Sequence, residues 1–479
     1  MKRFRWMVMF VLMFALRMNV CASEAEEQGP HLVEASIVTE VLEWGETVTA
    51  LRLEYSEEIP AISVPQNMQY PGTVTYMLAN DRDIVSVYVN NSGKKDDVQV
   101  KGKYVFLNLG LESENYFSYT SYVTFNPTAN RRDQIPEFQF YQVNDIETCS
   151  GAIIPASAPV GDHSCFVSTT NEICIGTDDF TYFDYENIGY LLYIPEGYDA
   201  KDANLADLPL VVHFSAGDYG YSDWTGKYRG ALFTHPDCVV WGMPENQEKN
   251  PSFVVTLACA SDPEGGWGNM DFATSPLQQK YFGIIEKIIS DYNVDTSRIY
   301  AVGLASGAKP MLSMMEAHMD LFAAQMSTAY DPYTIYKDRE VAAEKMAMFF
   351  EEMPCWWFTG YEDNSRTAAE GIDTWLKGER LAISAADVQE KYGIPVYDGY
   401  GEEGELMWNG QLRGAAADQL ALDQIAAAEA MGANDMMTSF IPGSVCYAAH
   451  WGWNGAYTNA TVLDWMYAQV NEAPYVLSE

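Results

Sequence analysis

From Gly176 onward the chain alternates short, almost uninterrupted apolar runs with longer amphipathic segments, and this alternation limits the fold more than any other feature of the sequence. "LPLVVHF" (208–214), "SFVVTLAC" (252–259) and "RIYAVGL" (298–304) lack the polar alternation of a half-exposed strand. Such runs suit strands buried on both faces of a parallel sheet. Between the last two, "LQQKYFGIIEKIISDYN" places Tyr281, Ile284, Ile285, Ile288 and Ile289 on one helical face. "GYLLYIP", "PCWWFTG" and "MMTSFIP" read as further strands, and "NATVLDWMYAQV" as a closing amphipathic helix. Strands and helices in alternation predict an α/β doubly wound sheet, with ligands at the carboxyl ends of its strands.

The first half reads differently. Residues 31–148 carry seven short β-branched and aromatic runs, among them "SIVTEVLEW", "VTALRLEY", "TVTYMLA", "IVSVYVN" and "YTSYVTF". Turn chemistry such as "NNSGKKDD" separates them, which predicts an all-β sandwich of immunoglobulin type. It holds no constellation of histidine, cysteine and carboxylate, so a spacing or packing role is expected. Residues 149–176, "SGAIIPASAPVGDHSC" included, are rich in small residues and predict a linker. An α/β domain over 177–479 follows.

The first 22 residues have the pattern of an export signal. Lys2, Arg3 and Arg5 precede the apolar run "WMVMFVLMFAL", and "VCA" before Ser23 suits cleavage at small residues. The run falls short of the roughly 20 apolar residues that span a bilayer. A cleaved signal peptide at 1–22 predicts a secreted or extracytoplasmic protein with no membrane insertion after cleavage. The formal net charge of −39 would repel nucleic acid and disfavour strongly anionic substrates. None of Cys149, Cys165, Cys174, Cys238, Cys259, Cys355 and Cys446 forms a C-x-x-C pair, and no metal or other cofactor is expected.

In "AVGLASGAKP" (301–310), Gly303 and Gly307 flank Ala305 symmetrically, as in the G-x-S-x-G turn that carries the nucleophile of serine hydrolases. That turn tolerates only small residues two positions either side of the nucleophile. Reading Ser306 as the nucleophile would put Leu304 and Ala308 there instead, and a leucine should clash. Position 305, where the serine belongs, therefore holds an alanine.

Five stretches in order resemble one family. "YLLYIPEGYDAKDANLADLPLVVHFSAG", "DYNVDTSRIYAVGLASGAKP", "MDLFAAQ", "CWWFTGYEDN" and "AAHWGWNGAYTNATVLDWMYAQ" are similar to successive segments of secreted α/β-hydrolase esterases related to polyhydroxyalkanoate depolymerases and feruloyl esterases. Some of these carry an immunoglobulin-like N-terminal domain, whose start "VLEWGETVTALRLEY" resembles. The resemblance implies Asp363 as the acid and His450 as the base, with Ala305 at the nucleophile position. It implies the Ser306 backbone N–H as one oxyanion donor. The other should lie in the loop after "PLVVHF", where Ser215 and Ala216 replace the expected glycine-rich segment and Asp218 follows.

Trp451 and Trp453 lie beside the histidine and could stack on an aromatic or sugar ligand. His213, inside a buried run, reads as a hydrogen-bonded core residue; His31, His235 and His318 stand alone in sequence. Two functions stay open. One is an ester hydrolase with rearranged chemistry, using Ser306 or water activated by His450. The other is a non-catalytic relative that binds a neutral ester, a glycan or a surface partner.

Overall fold

The computed structural model describes residues 29–43, 45–61, 76–78, 82–96, 98–110, 125–126, 131–132, 137–157, 167–199, 206–215, 232, 235–257, 276–329, 345, 348–349, 352–360, 363, 407–441, 444–445 and 449–477. The signal-like segment, Ala216, Asp218, most of "YTSYVTF" and Cys165, Cys259 and Cys446 lie outside them. Among the described residues no helix is long and apolar enough to cross a membrane. The chain divides into two compact units, with the last boundary between Glu172 and Ile173.

The N-terminal β region contains β1 (Leu32–Leu42), β2 (Gly45–Ile59), β3 (Tyr76–Leu78), β4 (Ile84–Asn90), β5 (Gly102–Leu109), β6 (Phe125–Asn126), β7 (Arg131–Arg132), β8 (Gln139–Gln142), β9 (Ile146–Glu147), β10 (Ile153–Ile154), β11 (Val167–Ser168) and β12 (Asn171–Cys174). One sheet runs β12-β1-β2-β5-β4 and another β11-β8-β3. Their inner faces meet through polar as well as apolar side chains. The Tyr55 hydroxyl on β2 donates to Gln142 Oε1 on β8 at 3.0 Å and lies 3.1 Å from the Tyr76 hydroxyl on β3. Around this bridge Leu51, Leu53, Phe106, Phe138 and Phe140 are buried.

Residues 149–176 are not a simple linker. Their described part holds β10, β11 and β12, and the last two extend the two sheets. Val167 pairs with Phe140 and Ser168 with Gln139. A ladder is closed by backbone N–H and C=O groups, which a composition of small residues leaves available.

The second unit is built on a nine-stranded sheet. Its strands are β13 (Phe180–Tyr185), β14 (Ile188–Tyr193), β15 (Leu208–Phe214), β16 (Phe253–Leu257), β17 (Val294–Leu304), β18 (Ala324–Thr328), β19 (Cys355–Gly360), β20 (Met407–Trp408) and β21 (Asp435–Phe440). They lie in the order β13-β14-β16-β15-β17-β18-β19-β21-β20. The β13–β14 and β14–β16 pairs are antiparallel, and every later pair is parallel.

The described helices are α1 (Pro236–Gly242), α2 (Pro244–Lys249), α3 (Pro276–Asp291), α4 (Ala308–Ala317), α5 (Ala415–Met431), α6 (Trp453–Tyr457) and α7 (Ala460–Tyr467). Separate apolar cores cover the two faces of the sheet. On one, Tyr281, Ile284, Ile285, Ile288 and Ile289 of α3 are buried with Val212, Phe214 and Ala301, as the helical spacing predicts. On the other, Trp241, Trp356, Tyr457 and Met466 pack over Val211, Val302 and Leu304. The side chain of Asn459 caps α7 by accepting from the N–H groups of Thr461 and Val462.

Candidate active site

Strand β17 ends at Leu304, and the chain turns through one 3₁₀ turn, Ala305–Gly307, into α4. Ala305 has φ +48°, in the left-handed region that residues with a Cβ enter at a cost of about 1–2 kcal/mol. The two glycines show why the turn is built from small residues. A Cβ on Gly303 would lie 2.7 Å from Ala308 Cα, and one on Gly307 only 2.1 Å from the Phe214 carbonyl oxygen. The turn is thus pressed against the end of β15. A side chain at position 303 has no room. The turn has the small-residue build of a strained strand-to-helix elbow, with Ala305 at its apex.

Asp363 and His450, expected as acid and base, follow two further strand ends. Asp363 follows β19 in a turn closed by its own N–H on the Gly360 carbonyl at 3.0 Å. His450 follows β21 in the 3₁₀ turn Ala449–Trp451. The His450 Nδ1–H donates to Asp363 Oδ2 at 2.8 Å, with the carboxylate side chain 7% exposed and the imidazole 48% exposed. That bond leaves Nε2 as the basic nitrogen. Gly452 brings the loop in close, since a Cβ there would lie 2.9 Å from the Gly360 nitrogen. The Asp363 carboxylate is the hydrogen-bond partner of the His450 ring.

Several sequence expectations change. The Ser215 N–H donates to the Leu257 carbonyl at 3.2 Å, so it belongs to the edge of the β15–β16 ladder and is not an oxyanion donor. Trp453 is 2% exposed and part of the core, so it is not a stacking platform. Trp451 is partly buried against the same core. Trp453 is the first residue of α6, and Trp451 closes the preceding 3₁₀ turn.

His235, isolated in the sequence, packs beside this turn. Its ring lies 4.9 Å from Trp451 and 4.8 Å from Trp453, centroid to centroid. Burial pushes its pKa down to about 4; Asp237 opposes this, and His450 and His213 reinforce it. Two residues along, Asp237 Oδ2 accepts from His213 Nε2 at 2.6 Å, and His213 Nδ1 lies 2.7 Å from Thr256 Oγ1. His213 is therefore a satisfied core histidine, as its apolar surroundings predict. Among the described residues no group of histidine, cysteine and carboxylate side chains could hold a metal ion.

Comparison with known proteins agrees with this architecture. Residues 34–155 match the family model for the esterase Ig-like N-terminal domain. No curated protein sequence matches the chain. Among solved structures, a thermostable esterase is 20% identical, with a TM-score of 0.62 over 91% of this chain and 99% of its own. A feruloyl esterase module from Clostridium thermocellum is 13% identical, with a TM-score of 0.37 over 63% of this chain and 90% of its own. The chain has the α/β-hydrolase fold of this thermostable esterase, preceded by an N-terminal domain that matches the esterase Ig-like model.

Proposed function

We propose that the second domain binds neutral carboxylic esters in an esterase-type site and, with alanine at position 305, does not form an acyl-enzyme. The observation that carries this reading is the strained Ala305 between Gly303 and Gly307, in a fold whose His450–Asp363 pair is intact. In a complete site the serine oxygen attacks the ester carbonyl while the imidazole takes its proton, and the carboxylate holds the imidazole tautomer. Here the base and its carboxylate remain and the attacking oxygen is absent. What is left is binding, plus a base able to draw a proton from water. A triad lacking one member retains roughly 10³–10⁴-fold over water from such residual effects.

The net charge of −39 favours uncharged esters over anionic ones, and the match of the first domain to one found in esterases supports the substrate class. Feruloyl or acetyl esters of plant polysaccharide, or short polyesters, fit it. A glycan-stacking reading is weaker, because the indole of Trp453 is buried. The signal-like first 22 residues support export.

The test is hydrolysis of a short-chain p-nitrophenyl ester by the native chain, Ala305→Ser and Ser306→Ala. A nearly silent native chain awakened by Ala305→Ser is expected. Native activity abolished by Ser306→Ala would overturn the proposal.

A further inference from the structure

His450 sits in a single turn with its imidazole half exposed, and its hydrogen bond to Asp363 does not by itself fix the loop that carries it. A second set of contacts bears on that loop. The Trp453 ring stands perpendicular to the His450 ring at 5.3 Å. The same indole meets the His235 ring at 4.8 Å and 66°, and Trp451 meets His235 at 4.9 Å and 89°. The two indoles lie 5.4 Å apart. His235 is thus packed edge-on against both tryptophans that follow the base in sequence, and it is 3% exposed.

His235 is itself anchored to the centre of the sheet. It directly precedes Pro236, the first residue of α1, and Asp237 follows in the first turn. The carboxylate of Asp237 accepts from His213 on β15, whose other ring nitrogen meets Thr256 on β16. All three side chains are buried. A continuous series of contacts therefore runs from two central strands through α1 and His235 to the indoles and the base. Apart from the base itself, none of these groups is used directly in a step of ester hydrolysis.

We propose that His235 is a positioning residue for His450, its ring fixing Trp451 and Trp453 and through them the geometry of the His450–Asp363 bond. The proposal rests on His450 being the base of the ester site. Because burial holds the pKa of His235 near 4, its ring adds no positive charge beside a base that must accept a proton at neutral pH. Edge-on packing of aromatic rings is directional, so a side chain without a ring cannot hold the two indoles in the same way.

The test uses the full chain and two readouts. The first is the downfield proton resonance of His450 Nδ1–H, identified by its loss in Asp363→Ala. It should broaden or vanish in His235→Ala and persist in His235→Phe, which keeps a ring. The second is kinetic, in an Ala305→Ser background. There His235→Ala should lower kcat by about 10- to 100-fold with KM within about twofold, the cost of a small misplacement of a reacting group, and His235→Phe should restore most of it.

An unchanged resonance and kcat in His235→Ala would overturn the proposal, and so would equal losses in His235→Phe. If His235→Ala does not fold, Trp453→Leu breaks the same link from the other end, and persistence of the resonance there overturns the proposal. Should Ala305→Ser be inert, the reading of the site fails, and the resonance alone still decides the role of His235.

Discussion

Ala305→Ser adds one oxygen to a Cβ that already sits in left-handed backbone. The strain of that conformation, about 1–2 kcal/mol, is already present with alanine, so serine should change stability by less than about 0.5 kcal/mol. The rate should respond very differently. In an intact triad, loss of the serine lowers kcat by ~10⁶. Of the two donors expected in the loop after β15, the Ser215 N–H is engaged by the Leu257 carbonyl. A missing oxyanion donor costs ~10²–10³ in kcat. Restoring the serine alone should therefore raise ester turnover by roughly 10³–10⁴ over the native chain. Release of p-nitrophenolate from a short-chain ester measures this directly, with circular dichroism confirming that both proteins fold alike. A folded Ala305→Ser variant with a rate within about threefold of native would refute the reasoning, since such a factor is under 1 kcal/mol of transition-state stabilisation.

Other expectations follow from the same geometry. Gly307→Ala would set a Cβ 2.1 Å from the Phe214 oxygen and 2.5 Å from the Ser215 oxygen, and should cost about 3 kcal/mol or more in urea unfolding. Gly432→Ala, at φ +65° with open space around it, should cost only about 1 kcal/mol by the same measurement. Asp237→Ala would leave His213 Nε2 buried without its acceptor and should cost about 1–3 kcal/mol; an unchanged unfolding midpoint would contradict the bond. His235 is neutral in the fold down to about pH 4 but takes up a proton near 6.5 once unfolded. Its contribution to stability is therefore full above pH 6.5 and falls as pH drops towards 4, by up to roughly 3 kcal/mol. His235→Phe should flatten that part of the stability profile.

The sequence made the sheet legible because its central strands are buried on both faces and carry little besides apolar side chains. Val211, Val254 and Tyr300 on one face, and Val212, Val255 and Ala301 on the other, leave no place for polar alternation. The elbow was legible for a local reason, since two glycines four apart meet a steric demand within one turn. The His450–Asp363 contact spans 87 residues, and only the order of segments shared with known esterases pointed to it. His235 and Asp237 gave no such signal. Their partners, Trp453, His213 and Thr256, are distant in sequence and join them only when α1 packs beside the sheet. The burial of Trp453 was hidden because an indole beside a histidine looks the same in sequence whether α6 turns it inward or outward. Likewise, the strand pairing of Val167 and Ser168 depends on backbone groups that their small-residue setting does not advertise.

The most direct measurement of where the nucleophile belongs is covalent labelling. An alkyl fluorophosphonate reacts with an activated serine oxygen and releases fluoride, and peptide mass spectrometry locates the adduct. The native chain should remain unlabelled, while Ala305→Ser should carry one adduct at position 305. Labelling of Ser306 in the native chain would contradict the assignment of Ala305 as the apex of the elbow.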